Sequence, residues 1–427
     1  MDNKRLILYS VVPIVVFAGI FISLSYLDLF SGIGEPPINT PPNYNDTFSV
    51  LPDSDPPSII DSGLRVEKVI QGLSLPTSMV FLDHDDILIV QKNDGRVRLV
   101  SNGVLQTNPI FDVEVESQSE RGLLGVAAAN ASGITKTVFL FFTEEDGDDI
   151  RNRVYRYDWN GTGNLTGETL VLDLPGEPGP NHDGGKITIG PDGMLYAVIG
   201  DLNRNGILQN YRDGPEPDDT SVILRVDRDG NAADGALLGE LARYYAYGIR
   251  NSFGMDFDPL TDTLWDTENG PEDYDEINVV KPGFNSGWER VMGPIGRQGL
   301  TVNDLVQLEG SHYADPVFSW RQAQGVTDIE FLHSTRLGDK YTNNIFVGDI
   351  NNGNLYFFKV NEDRTGLEFG DQALQDLVAD NQQELSAVTI GSGFGGITDI
   401  ETGQDGFLYI LTFGGDIYRI VPADKGS

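Results

Sequence analysis

The chain has 427 residues, with 65 acidic against 29 basic side chains and a formal net charge of −36. A surface this acidic repels polyanions, which excludes nucleic-acid binding and fits a solvated exterior surface with room for calcium sites. The absence of cysteine excludes disulfides, thiolate chemistry and cysteine-ligated zinc or iron–sulfur centres. The 50 glycines, 16 tyrosines and 21 phenylalanines favour many short strands joined by tight turns.

The amino-terminal segment, 1–30, is predicted to be a membrane anchor. Residues 6–27 form an uncharged, apolar run of 22 residues, long enough to cross a bilayer as a helix. Lys4 and Arg5 precede it, which places the amino terminus in the cytoplasm and the remainder in the extracellular or periplasmic space. The small residues at 23–25 keep a cleavable signal peptide open as the alternative.

Residues 31–62 are predicted to be an extended linker to the globular region, 63–427. The segment is rich in proline, asparagine and aspartate and cannot bury enough apolar surface to offset its ordering cost. Asn-x-Ser/Thr sequons agree with an exterior location and begin at Asn45, Asn130, Asn160 and Asn164.

From residue 63 onward a unit of three strands recurs six times. In each unit a small or apolar strand, a turn rich in Asp and Gly, a strongly apolar strand and a strand of alternating polarity follow one another. The first strands of the units are predicted at 77–81, 123–128, 186–189, 254–257, 327–331 and 398–402. This repetition predicts an all-β fold, a six-bladed β-propeller, with an irregular pair of β-sandwiches as the alternative.

The stretch 181–201, NHDGGKITIGPDGMLYAVIGD, carries the first candidate catalytic pair. If its two strands form a hairpin, His182 and Asp201 meet at the same end. A carboxylate beside a histidine selects its tautomer and stabilises the imidazolium, which is a general-base arrangement. The alternative is an Asx-type loop with a surface histidine.

Three further stretches join this pair. Arg250, in the sequence YGIRN, precedes the fourth unit as His182 precedes the third, so both are expected at one mouth of the central channel. Its planar guanidinium suits a carboxylate or quinone oxygen, and a structural salt bridge is the alternative.

The segment 267–276 has five carboxylates around Gly270-Pro271, oxygen-rich enough for calcium, with a solvated acidic loop as the alternative. The glycines of 120–125 allow close backbone approach near the axis.

Together these motifs resemble the glucose/sorbosone dehydrogenase family, soluble quinoproteins that bind pyrroloquinoline quinone (PQQ) and calcium. The matching segments are RGLLGVA, NHDGGKITIGPDGMLYAVIGD, YAYGIRNSFGMDFDP, ENGPEDYDEINVV and DGFLYILTFGGDIYRI, in the family's order. The resemblance implies a six-bladed propeller in which His182 takes the proton of a sugar hydroxyl while hydride passes to the quinone, with Asp201 steadying the base.

The resemblance also implies the remaining site residues. Arg250 and Asn251 would lie at the cofactor, and the carbonyls of Gly270 and Pro271 would bind calcium. We add Asp275 and Glu276 as further metal ligands. The family's lysine and arginines for the cofactor carboxylates have no basic counterpart in 348–353 and 393–398, so Arg121 is proposed as a substitute, with Lys186 and Arg336 as others.

Three hypotheses about function follow. The first is a membrane-tethered quinoprotein oxidoreductase that oxidises aldose sugars and passes electrons to an external acceptor. The second is a non-catalytic, calcium-stabilised propeller that binds a glycan or a protein, which the missing basic residues favour. The third is a propeller hydrolase or lactonase that uses the same calcium and histidine.

Overall fold

The computed structural model describes residues 47–83, 86–131, 135–204, 210–212, 214, 216–233, 237 and 239–423. The predicted membrane anchor, 1–30, lies outside these ranges. Among the helices of the described residues, none is long and apolar enough to span a membrane.

Short strands dominate the described residues. In chain order they are β1 Ser58–Ile59, β2 Leu64–Ile70, β3 Pro76–Phe81, β4 Ile87–Gln91, β5 Arg96–Ser101, β6 Val104–Leu105, β7 Phe111–Asp112, β8 Leu123–Asn130, β9 Lys136–Asp146, β10 Asp149–Trp159, β11 Thr166–Pro175, β12 Ile187–Ile189, β13 Leu195–Ile199, β14 Val222–Val226, β15 Tyr244–Tyr247, β16 Gly254–Phe257, β17 Leu264–Glu268, β18 Asp273–Val280, β19 Phe284–Asn285, β20 His312–Tyr313, β21 Phe318–Gln322, β22 Val326–Phe331, β23 Ile345–Asp349, β24 Leu355–Val360, β25 Leu367–Glu368, β26 Val378–Ala379, β27 Thr389–Ser392, β28 Ile397–Thr402, β29 Leu408–Thr412 and β30 Ile417–Pro422. The helices are α1 Gln382–Val388 and four single 3₁₀ turns at Gly239–Leu241, Ile295–Gln298, Val302–Asp304 and Gln372–Leu374.

The strands of the described residues assemble into six sheets. Their strand orders are β3-β4-β5-β6 with β7 on β5, β8-β9-β10-β11, β12-β13-β14-β15-β19-β20, β16-β17-β18-β21-β26, β22-β23-β24-β27-β1 with β25 on β24, and β28-β29-β30-β2. In the last sheet β2 pairs antiparallel with β30, Leu64 opposite Pro422. Both ends of the described chain therefore meet in one sheet, which closes the assembly.

The first strand of each sheet packs against the first strand of the next. The contacts run from β3 to β8, β12, β16, β22 and β28, and β28 returns to β3. The six predicted first strands correspond to these six inner strands within one or two residues at each end. The prediction of an all-β, propeller-like fold is thus confirmed.

The second strand of each sheet lies between two neighbouring sheets and is buried on both faces. Such strands read as continuous apolar runs, because there is no solvent face to hold polar residues. The strand β13, LYAVI, and the strand β29, LYILT, are buried at every position. Their side chains fill the clusters between consecutive sheets, where Phe139 and Phe141 of β9 meet Leu195 of β13.

Part of the predicted linker contacts the sheets. Phe48 is buried in the cluster that contains Val69 and Tyr409. The strand β1 pairs with β27, with Ser58 opposite Ser392. Residues 47–62 therefore contribute one edge strand and one core side chain to the propeller-like body.

Candidate active site

His182 and Asp201 lie at the same end of the β12–β13 hairpin. His182 precedes β12 and Asp201 follows β13, and the antiparallel pairing of Ile187 with Ala197 brings the two together. The distance from His182 Nδ1 to Asp201 Oδ1 is 2.5 Å. The histidine side chain is 14% exposed and the aspartate 1%. The imidazole is therefore accessible to a small molecule, whereas its carboxylate partner is shielded from water.

The partners of Asp201 determine the tautomer of His182. Asp201 Oδ2 accepts the indole N–H of Trp288 at 2.7 Å, and Oδ1 accepts the backbone N–H of Asn203 at 2.9 Å. Because both oxygens of this carboxylate accept hydrogen bonds, the tautomer of His182 that fits the contact carries its proton on Nδ1 and donates it to Oδ1. Nε2, which no described residue contacts by a hydrogen bond, is left as the basic nitrogen.

Glu120 holds the backbone of this loop. His182 has φ of 65°, a left-handed conformation that is uncommon for a non-glycine residue. Its N–H donates to Glu120 Oε2 at 2.7 Å, and the side-chain amide of Asn251 donates to the same oxygen at 3.0 Å. Glu120 thereby joins the predicted base to a predicted cofactor residue.

Arg250 is tied to the same site through its backbone and its side chain. Its carbonyl accepts the N–H of Asp201 at 2.9 Å. Its Nη1 donates to the carbonyl of Asn269 at 2.8 Å, and the guanidinium carbon lies 5.3 Å from the ring centre of Trp288. Nε is buried without a partner among the described residues. One donor of the guanidinium is therefore left without a hydrogen bond to the described residues.

A cavity of about 260 Å³ opens beside these residues at the channel mouth. Glu120 and Asn269, which accept hydrogen bonds from His182 and Arg250, line this cavity, whereas His182 and Arg250 themselves are not among its lining residues. All six sheets or their adjoining loops contribute to its wall, with Thr77, Leu124, Lys186, Phe253, Val326 and Thr398 among the lining residues. The cavity therefore lies on the axis around which the inner strands are arranged.

Two lysines line this cavity. Lys186 is ion-paired with Asp328 at 2.8 Å and Asp399 at 2.6 Å, so its charge is already matched. Lys92 is buried, and its Nζ donates to Asn93 Oδ1 at 3.0 Å and the carbonyl of Ser117 at 3.2 Å. Burial lowers the pKa of Lys92, since these neutral acceptors do not replace its lost hydration. The carboxylates of Asp183, Glu120 and Glu116 offset this effect only in part, and none of them forms an ion pair with Lys92 among the described residues.

The predicted substitute Arg121 faces a neighbouring loop. It is 4% exposed, and its Nη2 donates to the carbonyls of Gly176 at 2.5 Å and Pro178 at 3.3 Å. These bonds give it a structural role beside the site, and it is absent from the residues that line the cavity.

The predicted calcium ligands Asp275 and Glu276 point to opposite faces of β18. The Asp275 carboxylate accepts backbone N–H groups from Gly270 at 2.9 Å and from residues 324–326 at 2.6–3.3 Å. Its oxygens thus brace the Gly270-Pro271 loop against the next sheet. The two side chains do not converge on one ion.

Glu276 instead belongs to a buried carboxylate group on β17 and β18. It lies opposite Glu268, and Asp266 lies opposite Asn278. Neither carboxylate oxygen of Asp266 has a hydrogen-bond partner in the described part of the chain. Burial raises the pKa of Glu268 to about 7 and raises that of Glu276 well above its ordinary range, with the neighbouring carboxylates adding to both shifts.

Sequence reasoning did not identify Glu120, Trp288 or Lys92 as site residues. Glu120 begins the ERGLLG motif, so its position there was a usable signal. Trp288 is 87 residues from Asp201, and nothing local marks that contact.

The fold and the site define a propeller-like scaffold with a histidine–carboxylate pair and an arginine close to its axial cavity. The family model "Glucose / Sorbosone dehydrogenase" matches residues 73–419. The chain belongs to this family.

Individual proteins that are similar to this chain are consistent with its membership of the family. The chain is 24% identical over 383 residues to the "Aldose sugar dehydrogenase YliI" of Escherichia coli, covering 84% of this chain and 93% of that protein. The crystal structure of the soluble aldose sugar dehydrogenase of Escherichia coli in its apo form superimposes with a TM-score of 0.68 at 23% identity, covering 84% of this chain and 100% of the other. The PQQ-bound aldose sugar dehydrogenase of Streptomyces coelicolor superimposes with a TM-score of 0.64 at 23% identity, covering 86% and 99%. These similarities show a shared fold.

Proposed function

We propose that the protein is a membrane-tethered quinoprotein that oxidises aldose sugars with PQQ, its six sheets forming six blades. The observation that carries this proposal is the 2.5 Å contact between His182 Nδ1 and Asp201, which leaves Nε2 as the base, while Glu120, bonded to the His182 backbone, lines the cavity. Membership of a sugar dehydrogenase family supports the same reaction class.

On one side of the cavity, the residues at the channel mouth fit a planar anionic cofactor. Lys92 lacks an ion pair among the described residues, and Arg250 has a buried, unpartnered Nε. Both would be satisfied by carboxylate or quinone oxygens. On the other side Ile350 and Thr398 line the wall, where the family resemblance implies basic residues.

When bound, PQQ would accept the two electrons that the sugar loses. The chain's own groups account for the proton. His182 Nε2 takes it from the sugar hydroxyl, and Asp201 stabilises the imidazolium that results. Arg250 offers a fixed positive charge where negative charge develops on oxygen, and Glu120 holds the loop that positions the base.

Calcium is part of this proposal. The carbonyls of Gly270 and Pro271 would hold the ion near the cofactor. The buried group of Asp266, Glu268 and Glu276 supports a cation nearby, because no described basic side chain forms an ion pair with any of the three carboxylates.

We also propose that residues 1–30 anchor the protein with the propeller outside the cell or in the periplasm. The apolar run 6–27 and the preceding Lys4-Arg5 support this orientation. Protease treatment of intact cells or spheroplasts should remove the propeller and leave a membrane-bound amino-terminal fragment. A propeller protected until lysis would contradict it.

A second candidate function is a calcium-stabilised propeller that binds a glycan or a protein without catalysis. The uncharged Ile350 and Thr398 in the cavity wall favour it, because a tricarboxylate would meet few counter-charges there.

The deciding experiment is calorimetric titration of the protein with PQQ in excess calcium, followed by an aldose panel with an artificial electron acceptor. We expect submicromolar, calcium-dependent binding at one site and turnover of at least one aldose. Absence of binding up to about 100 μM, equivalent to about −5.5 kcal/mol, would overturn the quinoprotein assignment and favour the binding propeller.

A further inference from the structure

A second group of ligating side chains lies in the channel away from the catalytic histidine. Asp256 on β16, Glu330 on β22 and His333 just beyond β22 each offer one ligand atom, and these atoms all lie within 4.8 Å of one another. The distance from His333 Nε2 to Asp256 Oδ2 is 3.6 Å. The three residues join the inner strands of two neighbouring sheets.

The two carboxylates of this group, Asp256 and Glu330, border a separate cavity. It has a volume of about 140 Å³, and Asp256, Glu330 and Glu401 are among its lining residues. Lys186 alone is shared with the cavity at the channel mouth. The lysine and its partners Asp328 and Asp399 therefore lie between the two cavities.

The cavity is lined by carboxyl groups, of which those of Glu330 and Glu401 have no basic partner of their own among the described residues. Glu330 is 7% exposed, and its Oε1 accepts the N–H of Thr402 at 2.8 Å. Its other oxygen has no donor in the described ranges. The Glu401 carboxylate likewise has neither a hydrogen bond nor an ion pair there, and Lys186 is committed to Asp328 and Asp399. A buried carboxylate such as that of Glu330 costs free energy when it is left this way, unless it is protonated or meets a cation.

We propose that Asp256, Glu330 and His333 bind a divalent transition-metal ion of the zinc or manganese type, with Glu401 as a third carboxylate nearby. One imidazole nitrogen with carboxylate oxygens is a donor set that suits such ions. Calcium and magnesium prefer oxygen ligands alone.

The exposed side chain of His333 gives an ion access to the three ligands from solvent. Its side chain is 44% exposed, while Asp256 is 18% exposed, so the histidine faces solvent and the carboxylates lie inside. Glu330 and His333 are three residues apart at the end of β22, and Asp256 already accepts the backbone N–H of Phe331 at 2.8 Å. That bond positions the two strands, so small side-chain rotations would close the ligands around the ion. Bound there, the ion would link the fourth and fifth sheets.

The test is calorimetric titration of the metal-stripped protein with Zn²⁺ and, separately, Mn²⁺. Saturating calcium is present throughout to occupy oxygen-only sites. We expect one high-affinity site for at least one of the two ions, and a rise in melting temperature on binding. His333→Gln and Glu330→Gln should each weaken binding at least about tenfold, because each removes a ligand.

Two matched controls locate the site. His182→Gln alters the other histidine–carboxylate pair and should retain the stoichiometry and affinity, as should His312→Gln on β20. X-ray absorption of the loaded protein should show nitrogen and oxygen ligands with a single imidazole. Absence of binding, or binding unchanged in His333→Gln, would overturn the proposal. Because His333 is partly exposed, its variant is expected to fold, which circular dichroism would verify.

Discussion

The indole of Trp288 donates to the buried carboxylate of Asp201 at 2.7 Å, across 87 residues of sequence. The other oxygen of that carboxylate lies 2.5 Å from the Nδ1 of His182. Asp201 is therefore held from two sides, and its orientation sets that of the imidazole. The same indole ring lies under the guanidinium of Arg250. A single side chain thus positions both the base and the positive charge of the proposed reaction.

Replacing the base should abolish the reaction. In His182→Ala we expect kcat to fall by about 10²–10⁴-fold, the usual contribution of a positioned general base. The melting temperature should stay close to that of the parent protein, because the side chain is partly exposed and makes one side-chain bond. Steady-state kinetics with an aldose and a melting curve check both parts. Unchanged turnover would remove His182 from the mechanism.

Trp288→Phe should impair turnover without removing the ring on which Arg250 stacks. The variant loses the indole N–H, so Asp201 loses one of its donors and the imidazole loses part of its positioning. We expect kcat to fall about tenfold. A hydrogen bond to a charged group contributes about 1.5–3 kcal/mol, and a water molecule that replaces the indole N–H would restore part of this free energy. The pH profile of kcat should shift as well. A change in KM alone would indicate that the indole acts on binding instead.

The raised pKa of the buried Asp183 carboxyl should make the free energy of unfolding depend on pH. Burial raises its pKa from 3.8 to about 7, with Glu120 adding to the shift. Between these values the folded state holds a proton that the unfolded state has released. The free energy of unfolding should therefore fall as pH rises through this window, by about 1.4 kcal/mol per pH unit at most, and the loss should be complete above about pH 7.

Asp183→Asn tests this dependence. The amide cannot ionise, and its oxygen can keep the 3.0 Å bond from Asn152. The variant should be more stable than the parent at pH 8 and similar to it near pH 4, as measured by thermal melts at both pH values. Asp112→Asn, at an exposed position, serves as the control and should show no such difference. A gain that is equal at both pH values would argue against the raised pKa.

Asp275 should be essential for stability. Its carboxylate accepts backbone N–H groups from Gly270 and from residues 324–326. Asp275→Ala would leave these buried donors unsatisfied, and we expect a loss of about 3 kcal/mol or more in the free energy of unfolding. The neighbouring Asp273, whose side chain is 59% exposed, should tolerate the same substitution within about 0.5 kcal/mol. Equal effects of the two substitutions would contradict the role of Asp275.

Calcium removal should lower the melting temperature. The buried carboxylates of Asp266, Glu268 and Glu276 repel one another, and a bound cation would offset that repulsion. We expect chelation to lower the melting temperature by several degrees and added calcium to restore it. Glu276→Gln should weaken this response. Identical melting curves with and without chelator would count against a calcium site in this region.

Much of the architecture follows from local sequence patterns. The inner and second strands of each sheet can be recognised in the sequence. Inner strands are short runs of small or apolar residues, second strands are continuous apolar runs because they are buried on both faces, and Asp–Gly turns separate the two. The proximity of His182 and Asp201 is also local, since a hairpin of 19 residues joins them. Strands at the sheet edges such as β1 were not predicted, because a two-residue pairing has no periodicity to detect.

The sequence alone therefore determined the repeat, the strand positions and the histidine–aspartate pair, all of which depend on neighbours within one unit. Only the tertiary structure decided which residues complete the site. Trp288 reaches Asp201, and Asn251 shares Glu120 with the His182 backbone, because closing the ring of sheets brings distant loops to one mouth of the channel. The meeting of Asp256 with Glu330 and His333 has the same origin. Side chains of inner strands in different sheets come together only when the ring is complete.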